Sequence, residues 1–307
     1  MDPLVRTEPL FKTLQDASAL DAPLLLAAFG GSAGMTPAAT LEYLAQQWDA
    51  RPIADFDPDD LYDFTVARPN VLIDEGERVV EWPGVRLWHA RPRGSDRDIL
   101  LLEGREPHFR WQHLATAVGE VARALGVTEA VVLNSYSAGV PHTRRIPVTL
   151  TGDMTVFAAR AGIQPNPPRY QGPATASMVL AVALREAGFK TASLNVLAPF
   201  YLAVDPNPHA IGALIEVIDR GIGTRTSVEA IEPHRAAVDQ QAVAAIQASP
   251  GLALFVANLE RQHDEAPDPG SAPGFRTDEV LADVEALLAR HKGEPGGSGT
   301  GPTTQVR

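Results

Sequence analysis

The 307-residue sequence contains no cysteine, only three lysines, and no apolar run of about 18 residues that could cross a membrane. The absence of cysteine excludes disulfides, thiolate metal sites, iron–sulfur clusters and cysteine nucleophiles. The scarcity of lysine argues against lysine-based catalysis. The first twenty residues also lack a basic segment followed by an apolar one, the pattern of a signal peptide. We therefore expect a cytoplasmic protein with no membrane partner.

Basic residues are outnumbered by acidic ones, 26 to 38, which gives a formal net charge of −12. Because nucleic-acid binders neutralise phosphates with basic patches, we expect no nucleic-acid partner. The eight histidines do not show the spacing of metal ligands. The acidic run from Asp55 to Asp63 lacks the glycine and terminal glutamate of a calcium loop. The sequence therefore predicts no metal and no cofactor.

Continuous apolar runs alternate with helical patterns along the chain. Residues 22–29, 98–102 and 130–133 have the pattern of strands that are buried on both faces, and the spacing at 110–125 predicts a helix. Two alternating runs around Asp74-Glu75-Gly76 predict an antiparallel hairpin. The order of elements predicts an α/β fold: a three-layer sandwich with a mostly parallel, mixed central sheet and additional C-terminal helices.

The domain organisation follows from the composition. We expect an N-terminal segment at residues 1–21 and one α/β domain at residues 22–265. A loop and a last helix follow at 266–292. The tail at 293–307 is rich in Gly, Pro, Ser and Thr, so we expect it to be disordered.

Polar side chains follow three of the predicted strands, in the loops at 30–36, 103–108 and 135–145. In α/β sheets the carboxyl ends of parallel strands meet at one edge, where ligands bind. The candidates at this edge are Glu103, Arg105, Glu106, His108, His142, Thr143, Arg144 and Arg145. These side chains could bind an anion or could pair with one another, and the sequence supports both interpretations equally.

No catalytic motif is complete, and we predict no catalytic residue. The loop Gly30–Gly34 lies where phosphate loops lie, but it has no lysine and its glycine spacing fits neither known pattern, which favours a simple tight turn. Ser137 lies in half of a nucleophile elbow, with Ser135 where the elbow requires glycine.

Six phrases, taken in order, resemble the proteasome assembly chaperone family in its actinobacterial branch. They are Phe29-Gly30-Gly31 with Ala33-Gly34, Leu61-Tyr62-Asp63-Phe64 with Arg68-Pro69-Asn70-Val71, Glu81-Trp82-Pro83, Gly104-Arg105-Glu106-Pro107 with Arg110-Trp111, Pro141-His142-Thr143-Arg144, and Asp205-Pro206-Asn207-Pro208. The similarity covers about residues 22–265.

This resemblance implies a fold similar to nucleoside phosphorylases and a non-enzymatic protein that binds other proteins. Eukaryotic and archaeal members bind proteasome α-subunits, so the implied partners are proteasome α-subunits and further copies of this chain in a homo-oligomer. The candidate pocket or family-type loop residues are Gly30, Gly31, Gly34, Glu103, Glu106, Asn134, Pro141, His142, Thr143 and Arg144. Proteasome-docking members often end in a hydrophobic–tyrosine–any tripeptide, whereas this sequence ends in Gln305-Val306-Arg307.

The fold of the family also implies an alternative, a nucleoside or nucleotide hydrolase or phosphorylase-like enzyme with a strand-end pocket. Arg144 would then bind an anion, Asn134 a base and Glu106 a ribose. A third, weaker interpretation is a scaffold that recruits a partner through its C-terminal helix and tail.

Overall fold

The structure, a computed structural model, describes residues 2–8, 11–12, 20–31, 34–168 and 170–265. These residues belong to one unit, Met1–Ala272. The predicted loop and helix at 266–292 and the predicted disordered tail at 293–307 lie outside the described residues.

The described part of the chain contains eleven strands and eight α-helices. The strands are β1 (Val5–Thr7), β2 (Leu24–Gly30), β3 (Arg51–Phe56), β4 (Asn70–Asp74), β5 (Glu77–Glu81), β6 (Val85–Ala90), β7 (Ile99–Arg105), β8 (Glu129–Ala138), β9 (Val148–Gly152), β10 (Pro165–Asn166) and β11 (Lys190–Pro199). The helices are α1 (Thr36–Gln47), α2 (Pro58–Leu61), α3 (Trp111–Ala124), α4 (Thr155–Ala161), α5 (Ala176–Glu186), α6 (Pro208–Ile222), α7 (Glu232–Ala248) and α8 (Pro250–Glu265).

Nine of these strands form one mixed sheet in the order β1-β3-β6-β7-β2-β8-β11-β9-β10. The pairings β7–β2, β2–β8, β8–β11 and β9–β10 are parallel. The other four, β1–β3, β3–β6, β6–β7 and β9–β11, are antiparallel. The predicted α/β fold with a mixed sheet is confirmed, and the four mutually parallel strands β7, β2, β8 and β11 occupy its centre.

Strand β2 shows why the fold has three layers. All seven of its residues are buried, and successive side chains point to opposite faces of the sheet. Leu25 and Phe29 belong to the core shared with α3 and α5. Leu24 and Leu26 belong to the core shared with α1, α4 and α6. Helices therefore cover both faces of the sheet.

Helices α7 and α8 follow this core. Pro233 occupies the first turn of α7, a position that tolerates proline, so the helix begins at Glu232. Thr226 and Glu229 have the spacing of a capping box, which predicts a helix start at Thr226. That prediction is wrong: Thr226 lies in the loop after α6, where its hydroxyl donates a hydrogen bond to the Asp219 carboxylate (2.8 Å). Of the described helices, none alone has the length and apolarity of a membrane span, although α7 and α8 pass that test together across a 119° bend.

Three further elements differ from the sequence predictions. Strand β8 extends beyond Leu133 to Ala138, so Ser137 pairs with Ala198 inside the sheet and does not lie on a strand-to-helix elbow. The alternating pattern of residues 145–150 predicts a strand from Arg145, but strand β9 begins at Val148, because its extent is set by antiparallel pairing with β11. Helix α4 was not predicted.

The hairpin of β4 and β5 is confirmed, with Asn70 opposite Glu81 and Asp74 opposite Glu77. It forms its own two-stranded sheet outside the central one. All ten residues of the two strands are exposed. The hairpin therefore extends away from the core.

Candidate functional site

The loops that follow β2, β7, β8 and β11 make up the carboxyl edge of the central sheet, where the predicted site residues lie. The segment 200–207 after β11 contacts two of the other loops through Tyr201 and Asp205. The glycine loop and the loop after β8 therefore both contact the segment 200–207.

The Asp205 carboxylate occupies the N-terminus of α1, next to the glycine loop. It accepts hydrogen bonds from the backbone N–H groups of Met35 (2.8 Å) and Thr36 (3.2 Å). Free N–H groups at a helix N-terminus bind phosphates in many α/β proteins. Here a side chain of the chain itself satisfies them, so the loop that resembles a phosphate loop already holds an anion.

Glu106 packs against the other side of the glycine loop. A Cβ atom at Gly31 would lie 2.6 Å from the Glu106 Cβ, so this close approach requires glycine. The Glu106 Oε1 accepts a hydrogen bond from the backbone N–H of Ala176 (2.8 Å), at the first residue of α5. Glu106 therefore stabilises a helix N-terminus, as Asp205 does.

Glu103 lies in β7 and is half-buried. Its Oε1 accepts a hydrogen bond from the indole N–H of Trp88 on the neighbouring strand (3.0 Å). Burial raises the pKa of Glu103, and the Trp88 hydrogen bond opposes that shift.

Asn134 and Asn195 lie directly opposite each other on the parallel strands β8 and β11. Both are buried, and the side-chain N–H of Asn134 donates a hydrogen bond to the side-chain oxygen Oδ1 of Asn195 (3.3 Å). This pair satisfies polar groups inside the sheet that would otherwise be costly to bury.

The loop after β8 contains the buried Pro141, and the next residue, His142, pairs with Tyr201. The backbone N–H of His142 donates to the Tyr201 hydroxyl (2.8 Å), and the His142 Nδ1 lies 2.7 Å from the same oxygen. Burial lowers the pKa of the His142 imidazole and raises the pKa of the Tyr201 hydroxyl. A neutral His142 imidazole can accept a hydrogen bond from the Tyr201 hydroxyl at Nδ1, and the lowered pKa of His142 favours this neutral form.

The same loop is fastened to α8. Arg144 makes a bidentate ion pair with Asp264, with both N···O distances 2.8 Å. The Thr143 hydroxyl donates a hydrogen bond to Glu260. The Asp264 and Glu260 carboxylates raise the pKa of Arg144, chiefly through the hydrogen bond to Asp264. Helix α8 therefore lies over this loop, and Arg144 pairs within the chain, which is one of the two interpretations that the sequence left open.

Most of the predicted side chains at this edge bind other parts of the chain, including His108, which accepts from the Asp63 backbone N–H, and Arg145, which pairs with Glu216. The exception is Arg105, whose exposed guanidinium makes no ion pair or hydrogen bond with the described residues. Sequence reasoning missed the partners Tyr201, Asp205, Glu260 and Asp264. The Asp205-Pro206-Asn207-Pro208 phrase marks a helix start, yet it does not reveal that Asp205 caps a different helix. Among the described residues, no three His, Asp or Glu side chains group as metal ligands would.

The fold and this edge define a class of protein: a three-layer α/β sandwich whose strand-end loops are closed by C-terminal helices. The sequence model of the PAC2 family matches residues 31–246, and the chain belongs to that family. The expected resemblance to proteasome assembly chaperones is therefore confirmed. The comparison with curated proteins gave no match.

Solved structures from other organisms are similar to this chain. A proteasome-assembly chaperone homologue from Mycobacterium tuberculosis is 30% identical, with 76% of this chain and 99% of that one covered and a TM-score of 0.66. A protein of unknown function from Corynebacterium glutamicum is 26% identical, with 86% and 97% covered and a TM-score of 0.73. An archaeal proteasome activator from Pyrococcus furiosus shares the fold, at 14% identity over 72% and 92% of the two chains and a TM-score of 0.58.

Proposed function

We propose that the protein is a cytoplasmic, non-enzymatic binding protein that forms a homo-oligomer, binds proteasome α-subunits and assists their assembly. The observation that carries this proposal is the similarity to the Mycobacterium tuberculosis proteasome-assembly chaperone homologue, which extends over 99% of that chain.

The β4–β5 hairpin supplies a surface for self-association. Its cross-strand pairs Val71–Val80 and Leu72–Val79 lie on opposite faces. These four side chains are between 40% and 64% exposed. A two-stranded hairpin is marginal in water on its own, so an arm that is apolar on both faces is stabilised when a second copy covers it.

The carboxyl edge supports a binding protein over an enzyme. A phosphorylase-like mechanism would direct Arg144, Asn134 and Glu106 toward a substrate. In the structure these side chains bind Asp264, Asn195 and the N-terminus of α5. A thermal-shift screen with nucleosides and nucleotides tests the enzymatic alternative. A shift abolished by both Glu106→Ala and Arg144→Ala would favour it.

The test of the proposed function is retention of α-subunits from the same organism by the immobilised full-length protein. We expect the α-subunits to be retained and proteasome assembly to slow when the gene is deleted. A protein that retains no α-subunits, together with normal assembly in the deletion strain, would contradict the proposal.

Self-association is tested separately by light scattering on the double variant Val71→Lys/Leu72→Lys. We expect a fall to the monomer mass with an unchanged melting temperature, since neither side chain contributes to the core clusters. The control is Val156→Lys/Val243→Lys, which replaces two other exposed apolar residues, on α4 and α7. An unchanged mass for the hairpin variant would show that the arm does not hold the oligomer.

A further inference from the structure

A cavity of about 690 Å³ lies at the opposite edge of the sheet, far along the strands from the loops described above. We call this the amino edge, because β2 and β7 begin there. Three connections line the cavity: 47–51 between α1 and β3, 89–93 after β6, and 224–227 after α6. Its volume is in the range of cavities that hold small ligands, about 300–1,000 Å³.

The lining of this cavity is cationic in a chain whose net charge is −12. It includes Arg51, Arg91, Arg93 and Arg225, against the single lining carboxylate of Asp49 among the described residues. A local excess of guanidinium groups against the overall charge attracts anions from solution.

Three of the four arginines are available for a ligand. Arg91 pairs with Asp98 and Asp21, both at 3.0 Å. Arg51, Arg93 and Arg225 make no ion pair or hydrogen bond through their side chains with the described residues, and all three are exposed. His89 also pairs with Asp98 (2.9 Å), so it adds little to the free charge of the lining.

The walls of the cavity are held in place by contacts that do not involve Arg51, Arg93 or Arg225. The backbone N–H of Thr226 donates to Asp219 (2.7 Å), and its hydroxyl accepts from the Trp48 indole N–H (3.0 Å). Gly94 and Gly223 both have positive φ, and a Cβ at Gly94 would lie 3.0 Å from the Gly223 carbonyl oxygen. The loops that contain Gly94 and Gly223 therefore approach each other closely, and none of the three available arginines takes part in that contact.

We propose that this cavity binds a small phosphate-bearing anion, with Arg51, Arg93 and Arg225 as its phosphate contacts. Guanidinium groups bind phosphate oxygens through paired N–H donors, and hydroxyls such as that of Ser227 complete such sites. The proposal is independent of proteasome binding, because the cavity shares no lining residue with the carboxyl edge or with the β4–β5 hairpin.

Titration calorimetry with inorganic phosphate, pyrophosphate and ADP tests the proposal on the full-length protein. We expect pyrophosphate or ADP to bind, and binding to weaken as ionic strength rises. Each of Arg51→Gln, Arg93→Gln and Arg225→Gln should reduce the affinity by about tenfold or more. Binding of both ligands would show that the diphosphate is sufficient, whereas binding of ADP alone would identify a nucleotide ligand.

The control is the triple variant Arg68→Gln/Arg185→Gln/Arg261→Gln, which removes three exposed arginines outside the cavity and the hairpin. It should bind as the wild type does, whereas the triple cavity variant Arg51→Gln/Arg93→Gln/Arg225→Gln should not bind. Absence of binding for all three probes would overturn the proposal. An equal loss in both triple variants would also overturn it, because net charge and not this site would then attract the anion. Melting curves of both variants verify that they fold.

Discussion

The two edges of the central sheet differ in how they use their charged groups. At the carboxyl edge, Glu106 caps α5 and Arg144 pairs with Asp264. At the amino edge, Arg51 and Arg93 line a cavity and pair with no described residue. The edge at which α/β proteins ordinarily bind ligands is therefore filled by the chain itself, and the opposite edge is open.

This difference shows that the topology of a sheet brings polar side chains together at one edge. It does not determine whether those side chains remain free to bind a ligand. Asp205 lies where a phosphate loop would hold its anion, and α8 supplies carboxylates where a substrate anion would pair with Arg144. Whether a side chain is free to bind a ligand depends on segments distant in sequence, because those segments can supply its partner. Four measurements test this difference between the two edges.

The largest effect is expected at Asn134. The substitution Asn134→Ala removes the buried partner of the Asn195 amide, and a buried unpaired polar group costs about 2 kcal/mol of unfolding free energy. Urea denaturation measures this cost. The double variant Asn134→Ala/Asn195→Ala should cost less than the sum of the two single variants. Additive costs would mean that the two amides do not depend on each other, and Asn134 would again be available for a ligand.

A smaller loss is expected at Asp205. Asp205→Ala removes the cap of α1 and should lower the unfolding free energy by about 1.5 kcal/mol. Inorganic phosphate should raise the melting temperature of this variant more than that of the wild type, because the helix N-terminus is then free. Asp205→Asn keeps an acceptor oxygen and should show a smaller loss. A variant that phosphate does not stabilise would show that the glycine loop cannot hold an external anion.

His142 should make the carboxyl edge sensitive to pH. Because burial lowers its pKa in the folded protein, the unfolded chain binds more protons near and below the ordinary histidine pKa of about 6.5. The contribution of His142 to stability is therefore present above that value and decreases as the pH falls through it. His142→Asn should reduce the fall in urea midpoint on acidification, and the exposed His234→Asn should leave it unchanged. An identical pH dependence in all three proteins would contradict this assignment.

The smallest effect is expected at Arg144. Its ion pairs are on the surface, where such pairs contribute little to stability, so Arg144→Ala should hardly change the melting temperature. Hydrogen exchange should nevertheless increase in α8, because the helix loses its bidentate contact with the loop after β8. Arg185→Ala, an exposed arginine on α5, is the matched control. Unchanged exchange in α8 would show that Arg144 does not hold the helix in place.

The sequence predicted the central strands well, because strands buried on both faces leave continuous apolar runs such as 24–30 and 99–102. It predicted the hairpin from its turn residues Asp74-Glu75-Gly76. It misplaced β9, whose limits depend on its partner β11 and not on its own pattern. Local periodicity carries no information about such pairing.

The candidate site was predicted as a location but not as a set of contacts. Glu106 and Arg144 were predicted in strand-end loops and lie there in the structure, whereas Asn134 lies inside β8. Their partners follow from tertiary packing: Arg144 and Asp264 are 120 residues apart, and Met35 and Asp205 are 170 apart. A surface carboxylate on a helix gives no sequence signal of the loop it will contact.

Strands β8 and β11 pair in parallel over ten residues, from Glu129 opposite Lys190 to Ala138 opposite Pro199. If one strand slid by two residues along the other, each side chain would still point to the same face of the sheet. Burial of apolar side chains alone therefore does not select one alignment. The Asn134–Asn195 hydrogen bond breaks in every such slide and leaves two amides among aliphatic side chains. This polar pair thus favours the observed alignment of two long strands. The loops after those strands carry His142 and Tyr201, so this alignment also decides whether the two rings meet.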